Sequence, residues 1–169
     1  VNIALDEYIS SQFPDHIRPM IKYIVDGGKR LRSILCLIFG NIENSSTFEN
    51  YQPELIIDIS ISIELIHCLS LVIDDTPCMD NDDCRRDRES FHKKYGLIKT
   101  NLIIYYLLNK ITLLFSKYNF SSIYLNNILT LNLNNLIEGQ CLDINLDNNQ
   151  IKEYNDKYFD NKQYLKFNS

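Results

Sequence analysis

Apolar residues recur at helical spacing along most of the chain. Residues 3–25 show such a pattern, interrupted near Pro14, and an apolar run follows from Ile34 to Phe39. Between Glu54 and Ile73 apolar residues occupy nearly every face, which predicts a helix that is buried nearly all round. Only five Gly and four Pro occur, a composition that favours long helices over strands and tight turns. The pattern predicts an all-α fold.

The second half of the chain continues this pattern. We predict a buried helix from Tyr95 to Phe115, and Ser121 and Ser122 are placed to cap a further helix that reaches Asp143. Residues 145–169 are polar, with a weak helical stripe. Neither an internal repeat nor a domain boundary is apparent, so we expect residues 1–169 to belong to a single domain.

A dense cluster of charge follows the most apolar helix. Five carboxylates are followed at once by three guanidiniums: Asp74, Asp75, Asp80, Asp82 and Asp83, then Arg85, Arg86 and Arg88. Like charges at this density repel unless a cation lies among the carboxylates and an anion among the arginines. Mg²⁺ is usually held by one or two carboxylates plus substrate phosphate oxygens, and arginine forks match phosphate geometry. A magnesium-bound diphosphate would satisfy both groups.

The position of Asp74 and Asp75 supports a metal site. They follow the C-terminal end of a helix, where the negative pole of the helix dipole makes a carboxylate unfavourable. A solvated acidic turn is the alternative, but the neighbouring arginines and the buried helix favour metal binding. A calcium EF-hand loop fits poorly, because no Gly stands sixth and no Glu twelfth when the count starts at Asp80.

A second, basic group precedes that helix. Gly27 to Arg32 reads Gly-Gly-Lys-Arg-Leu-Arg, and Lys29 and Arg32 share a face if this segment opens a helix. Glycines allow close backbone approach to a ligand, and free N–H groups in a first helical turn favour an anion. A solvated surface turn is the alternative. His67 lies seven residues before Asp74, on nearly the same helical face, and is either a core residue or a ligand.

Composition narrows the class of protein. The net charge of −5 argues against a nucleic-acid binder, and 45% hydrophobic with 23% charged residues is typical of a soluble globular protein. Five cysteines without short paired spacing indicate reduced thiols in an intracellular compartment, with a cytoplasmic, plastid-like or mitochondrial location left open. Charged residues within the apolar stretches argue against a transmembrane segment.

Taken in order, these motifs resemble those of the all-trans isoprenyl diphosphate synthases, and most of all the geranylgeranyl diphosphate synthases. The resemblance runs from about Ile17 to Asp143 and is carried by five segments: Gly27 to Arg32, Glu64 to His67, Asp74 to Asp80, Arg85-Arg86, and Gly139-Gln140 through Asp143. It implies long antiparallel helices around a deep apolar cavity. The chain would be the N-terminal part of such a domain, and we expect a homodimer.

The resemblance also implies roles for individual residues. Asp74, Asp75 and Asp80 would bind Mg²⁺, with Mn²⁺ possible, and Arg85 would meet the allylic diphosphate. Isopentenyl diphosphate would be held by Lys29, Arg32, His67 and Arg86. Gln140 and Asp143 would face the reacting centre. Leu69 and Ser70, one turn before Asp74, would set product length, and the absence of a bulky ring there suggests geranylgeranyl diphosphate.

Several features depart from the family pattern. Asp87, Arg88, Glu89 and Ser90 replace the usual Gly-x-Pro-Thr after the two arginines, and Ile104 and Tyr105 replace a common Gly-Asp pair. A second aspartate-rich motif and a downstream Lys-Thr are not seen, because the sequence ends before either is expected, and Asp147, Asp156 and Asp160 are too scattered to replace them. A non-catalytic partner subunit is the main alternative to an enzyme: the altered loop at Asp87 to Ser90 favours it, whereas the intact first aspartate motif and its two arginines argue against it. A terpene cyclase would not need the basic group at Gly27 to Arg32.

Overall fold

The computed structural model describes residues 1–44, 53–118 and 120–145. Within these ranges the chain is almost entirely helical. The elements in chain order are α1 (Asn2–Gln12), α2 (Arg18–Val25), α3 (Leu31–Asn44), α4 (Pro53–Asp74), β1 (Cys84–Arg85), β2 (Arg88–Glu89), α5 (Phe91–Tyr95), α6 (Leu97–Leu114), a short 3₁₀ turn (Ser116–Tyr118) and α7 (Phe120–Asn145). The all-α prediction is confirmed.

The chain divides into two compact units, Val1–Ser122 and Ile123–Ser169. The first contains every element up to the 3₁₀ turn, and the described part of the second is α7 from Ile123 onward. The helix predicted after Ser121 and Ser122 begins at Phe120, so both serines lie in its first turn. Predictions for residues 146–169 lie outside the described residues, and the expectation of a single, incomplete domain stays a prediction.

Helix α4 is the centre of the first unit. It contacts α1, α2, α3 and α6, and Leu65 on α4 is fully buried together with Ile9, Ile21, Leu107 and Ile111 from the surrounding helices. Burial of these side chains supplies the main driving force for assembling the unit. Any side chain near the end of α4 is therefore held on a well-packed support.

Proline and glycine set the breaks between helices. Helix α1 ends at Gln12, before Phe13 and Pro14, and α2 has a proline in its first turn, where the missing N–H costs nothing. The predicted helix from Tyr95 is two helices, because Gly96 adopts φ +84° between α5 and α6. Glycine accepts this left-handed conformation without a steric penalty.

Burial of the predicted helices is less complete than the apolar pattern indicates. Helix α6 buries Ile103 and Leu107 but leaves Ile98 78% exposed, and α3 leaves Phe39 exposed. The prediction that Glu54–Ile73 is buried nearly all round holds only in part: Glu54 and Ile57 at its start are exposed, while residues 58–73 are buried or half-buried. Hydrophobic periodicity shows which positions are suited to burial, but the number of neighbouring helices decides how many faces are covered.

Two helices in the described ranges are long and apolar enough to cross a membrane, judged by length and composition alone: Pro53–Asp74 and Leu97–Tyr118. This is weak evidence, since the core helix of a soluble protein passes the same test. In Pro53–Asp74 the buried residues include Asp58, Ser60 and Glu64. The absence of a transmembrane segment stays a prediction.

Candidate functional site

Four predicted phosphate ligands meet in one pocket of about 240 Å³, which we call the basic pocket. It is lined by Gly28, Lys29, Arg30, Leu31, Arg32, Glu64, His67 and Arg86. Three separate segments supply the predicted ligands: the start of α3 gives Lys29 and Arg32, α4 gives His67, and the β1–β2 hairpin gives Arg86. The structure thus places Lys29, Arg32, His67 and Arg86 together.

The glycines before α3 admit one of these cations. Gly27 and Gly28 adopt φ +78° and +86°, and a Cβ on Gly28 would lie 3.0 Å from Nη2 of Arg86. A side chain at either position would be strained by its backbone and would press on the guanidinium. The predicted close approach therefore occurs, but the group that the structure places against the glycines is Arg86.

A buried ion pair supports the floor of the pocket. Arg30 Nη1 lies 2.8 Å from Glu64 Oε1, and the two side chains are only 11% and 2% exposed. Ser33 Oγ donates to the other Glu64 oxygen at 2.9 Å. Burial works against ionisation, but the hydrogen bonds from Arg30 and Ser33 together lower the pKa of Glu64.

Sequence reasoning missed this pair, although a glutamate inside an apolar helix is rarely buried without a partner. The partner could not be identified because several cations precede α4. Arg30 stands between Lys29 and Arg32 and adopts φ +54°. The ion pair therefore fixes the turn that presents the two predicted ligands.

His67 is half-buried on α4. Burial and the nearby cations Arg32 and Arg86 lower its pKa, against the opposing effect of Glu64. Its imidazole is therefore neutral at pH 7 in the free protein. A neutral ring can donate one hydrogen bond to an anion without adding to the charge repulsion in the pocket.

A tight turn after α4 brings two carboxylates together. The N–H of Asp80 donates to the carbonyl of Asp74 at 2.9 Å, and the N–H of Asn81 donates to the carbonyl of Thr76 at 3.0 Å. Burial and the neighbouring charge of Asp80 raise the pKa of Asp74, while Arg85 opposes the shift. In the described part of the chain neither Asp74 nor Asp80 forms an ion pair, which leaves both carboxylates to attract a cation.

Asp75 has a different environment from its predicted metal-binding neighbours. Its side chain is buried, and it accepts a hydrogen bond from Nε of Arg85 at 2.5 Å and pairs with Nη2 of the same residue. Arg85 also lies 3.6 Å from Asp82, and Lys93 lies 2.6 Å from Asp83. Three of the five clustered carboxylates are thus paired with cations of the chain itself, two of them with the same Arg85.

These contacts decide how Mg²⁺ would fit. In the ranges that the structure describes, no group of three His, Cys, Asp or Glu side chains is arranged to hold a metal ion. Mg²⁺ rarely uses such an all-protein cage and instead combines one or two carboxylates with phosphate oxygens and water. Asp74 and Asp80 supply that smaller set, and burial together with the neighbouring Asp80 carboxylate raises the pKa of Asp74.

The hairpin after this turn keeps its shape without glycine. Cys84 pairs with Glu89 and Arg85 with Arg88, and the two loop residues Arg86 and Asp87 have φ +55° and +60°. Positive φ at both positions is typical of a type I′ turn, which usually contains Asn or Gly. Asp87 therefore adopts the left-handed backbone for which the family pattern uses glycine.

An apolar groove adjoins the basic pocket. It has a volume of about 570 Å³, lies between α3 and α4, and is lined by Arg32, Leu35, Cys36, Phe39, Gly40, Ile56, Ile59 and Ile63. Arg32 lines both the pocket and the groove, so a cation borders this apolar groove, which is open to solvent at Leu35 and Phe39. This arrangement suits a ligand with an anionic end and a hydrocarbon chain.

Among the other predicted site residues, Leu69 and Ser70 of the first unit are absent from the lining of the basic pocket. Leu69 is buried in the core, and Ser70 is half-buried with its hydroxyl bonded to the His67 carbonyl at 2.9 Å. Gln140 and Asp143 lie on α7 in the second unit, where Gln140 is half-buried and the side chain of Asp143 lies outside the described residues. The roles of all four stay predictions.

Comparison with known proteins gives a consistent picture. A family model described as polyprenyl synthetase matches residues 14–166. Geranylgeranyl pyrophosphate synthase 4 of Arabidopsis thaliana is 41% identical over 97 residues, covering 57% of this chain and 24% of that protein. The chloroplastic geranylgeranyl pyrophosphate synthase of Capsicum annuum is 41% identical over 102 residues, covering 57% and 25%. The matching part thus spans about a quarter of these curated relatives.

Solved structures share the helical arrangement. An isoprenoid synthase family member from Thermotoga neapolitana superposes with a TM-score of 0.70 at 28% identity, covering 85% of this chain and 54% of the other. A geranyltransferase from Legionella pneumophila gives a TM-score of 0.76 at 24% identity, covering 90% and 57%, and supports the fold. With the family model matching most of its length, the chain belongs to the polyprenyl synthetase family.

Proposed function

We propose that the protein containing this chain is a prenyltransferase that condenses isopentenyl diphosphate with an allylic diphosphate to give geranylgeranyl or farnesyl diphosphate. The observation that carries the proposal is the basic pocket, where Lys29, Arg32, His67 and Arg86 converge from three segments. Asp74 lies two helical turns after His67 on α4, a rise of about 10.5 Å at 1.5 Å per residue. The turn after α4 brings Asp80 next to Asp74. Two diphosphates bound at these places would lie side by side.

Each group has a separate task in this mechanism. Lys29, Arg32 and Arg86 would bind the diphosphate of isopentenyl diphosphate, with the imidazole of His67 as a further hydrogen-bond donor. Asp74 and Asp80 would hold Mg²⁺ or Mn²⁺, and the bound metal would assist departure of diphosphate from the allylic substrate. Arg85, oriented by buried Asp75, would add positive charge beside that leaving group. The apolar groove would contact the hydrocarbon part of a prenyl substrate.

The test is turnover by the full-length protein. Isopentenyl diphosphate and an allylic diphosphate should release diphosphate only with Mg²⁺ or Mn²⁺, and activity that survives a chelator would contradict the metal role. Lys29→Ala and Arg32→Ala should each raise the KM for isopentenyl diphosphate about tenfold or more, the effect of losing one charge-assisted hydrogen bond. Lys99→Ala, an exposed cation on α6, is the matched control. A rise in the allylic KM instead would reverse the assignment of the two diphosphate sites.

We also propose that copies of the chain self-associate through α6. Ile98, Leu102 and Tyr105 form an exposed apolar stripe on this helix, and Leu113 extends it. Stripes of this kind in a folded unit mark interaction surfaces. Leu102→Glu should lower the mass measured by sedimentation, whereas Lys22→Glu, at an exposed position on α2, should not. An unchanged mass for Leu102→Glu would place the interface elsewhere.

A second candidate function is that of one subunit in a heteromeric synthase. A relative from Arabidopsis thaliana is named heterodimeric geranylgeranyl pyrophosphate synthase large subunit 2. Turnover that appears only after a second synthase-like chain is added would favour this alternative. The chloroplastic names of two relatives further support a plastid-like location, which import into isolated plastids would test.

A further inference from the structure

The hairpin that carries Arg86 into the basic pocket needs support from elsewhere in the chain. Its strands are only two residues long, and an isolated two-stranded hairpin is marginally stable in water. Both loop residues also adopt left-handed backbone angles. The position of the Arg86 guanidinium therefore depends on whatever contacts anchor this hairpin.

Arg88 in strand β2 supplies one anchor, beside the pair that Arg85 in strand β1 forms with buried Asp75. Arg88 Nη1 lies 2.7 Å from the Asp26 carboxylate, and its Nη2 donates to the carbonyls of Tyr23 at 2.6 Å and Asp26 at 3.0 Å. The guanidinium carbon lies 4.2 Å from the centre of the Tyr23 ring. The Tyr23 hydroxyl donates in turn to the carbonyl of Glu89 at 2.7 Å. One guanidinium thus ties strand β2 to the C-terminal end of α2 by several contacts in different directions.

Asp26 connects this anchor to the basic pocket. Its carboxylate binds Arg88, while its carbonyl accepts a hydrogen bond from Nη1 of Arg86 at 2.6 Å. Asp26 also directly precedes Gly27 and Gly28, against which the Arg86 side chain lies. Asp26 therefore influences both the backbone path that leads into α3 and the position of the Arg86 guanidinium against that backbone.

We infer that Arg88, acting with Asp26, is a positioning residue that sets the spacing between Arg86 and the Lys29–Arg32 side of the basic pocket. This inference rests on the proposed function. Arg88 is absent from the residues that line the pocket, so it acts through Arg86 and touches no ligand there. The planar fork of Arg88 reaches three acceptor atoms on Tyr23 and Asp26 at once, a geometry that a lysine ammonium cannot reproduce. Affinity for isopentenyl diphosphate should depend on the spacing that Arg88 sets, because bidentate contacts to a diphosphate tolerate little misplacement of the guanidinium.

The test compares three variants of the full-length protein by steady-state kinetics. Arg88→Met, which keeps the apolar stem, should raise the KM for isopentenyl diphosphate about tenfold, the loss expected for one misaligned charge-assisted contact. The allylic KM and kcat should stay within about twofold. Arg88→Lys should give an intermediate KM. Asp26→Asn keeps the carbonyl that holds Arg86 and should give a smaller rise than Arg88→Met.

Arg18→Met is the matched control. Arg18 also pairs with an aspartate and donates to two carbonyls, those of Ser10 and Phe13, but it lies outside the pocket. It should leave both KM values unchanged even if it lowers the melting temperature. Should Arg88→Met fail to fold, Asp26→Asn alone carries the test through its KM.

The outcomes separate the inference from the function on which it rests. If the parent protein neither turns over nor binds inorganic diphosphate, the proposed function fails. If the parent is active but Arg88→Met matches Arg18→Met, or raises both KM values equally, Arg88 is only structural and the inference is overturned. A selective rise for isopentenyl diphosphate, partly recovered in Arg88→Lys, supports it.

Discussion

Replacing Glu64 by glutamine should destabilise the protein more than any exposed charge substitution. The change preserves side-chain size, so no cavity contributes, but it leaves the Arg30 guanidinium buried without a countercharge. Arg30 is 11% exposed and Glu64 2% exposed, which places the pair in the range where removal of one partner costs about 3–5 kcal/mol. The Ser33 hydroxyl would still have an acceptor, the carbonyl of Ser60 at 2.9 Å, so loss of its hydrogen bond to the Glu64 carboxylate adds little to this cost.

The measurement is urea unfolding followed by far-UV circular dichroism, with Asp15→Asn as control. Asp15 forms an ion pair with Arg18 but is 92% exposed, and such a surface pair contributes about 0–1 kcal/mol. Removing both members of the buried pair, in Arg30→Met with Glu64→Leu, should recover much of the lost free energy of unfolding. A Glu64→Gln loss no larger than that of Asp15→Asn would refute the structural role of the pair.

The pH dependence provides an independent check of the same pair. The pKa of Glu64 is lowered in the folded protein, so its carboxylate adds stability above the unfolded-state pKa. That contribution is lost as pH falls from the ordinary value of 4.5 through the folded-state pKa. The difference in unfolding free energy between the parent and Glu64→Gln should therefore shrink below about pH 4. A difference that stays constant to pH 3 would point to packing and not charge.

Three further predictions follow from the site. Asp74→Asn should raise the metal-free stability by roughly 0.3–1 kcal/mol at pH 7, because it removes a carboxylate of raised pKa from a helix C-terminus. The same variant should lose Mg²⁺-dependent turnover. Thermal melting without metal checks the first result, and an activity assay checks the second. A drop in metal-free melting temperature would show that Asp74 is structural. Asp87→Gly should stabilise the hairpin by about 0.5–1 kcal/mol, since glycine accepts φ near +60°, while Asp6→Gly within α1 should destabilise in the same urea titration. Ser70→Phe should shorten the prenyl product at a packing cost of about 1–3 kcal/mol, and chromatography of dephosphorylated products showing an unchanged length would place the end of the cavity elsewhere.

The sequence alone predicted the fold class and the four residues that converge in the basic pocket, Lys29, Arg32, His67 and Arg86. Helical periodicity and scarce Gly and Pro predicted an all-α chain, and short-range spacing placed Lys29 beside Arg32. These are local properties, because the 3.6-residue turn of a helix determines which neighbouring side chains share a face. The motif pattern then indicated that His67 and Arg86 belong to the same site, and the structure brings them there.

The choice of partner for each charge was decided only by the tertiary structure. Asp75 is chemically identical to Asp74 and adjacent to it, yet Asp75 is buried against Arg85 while Asp74 lies beside Asp80. Likewise Arg30 pairs with Glu64 and Arg88 with Asp26, across 34 and 62 positions of the chain. Coulomb attraction does not depend on sequence separation, so the packing of α2, α3 and the hairpin around α4 determines which opposite charges meet.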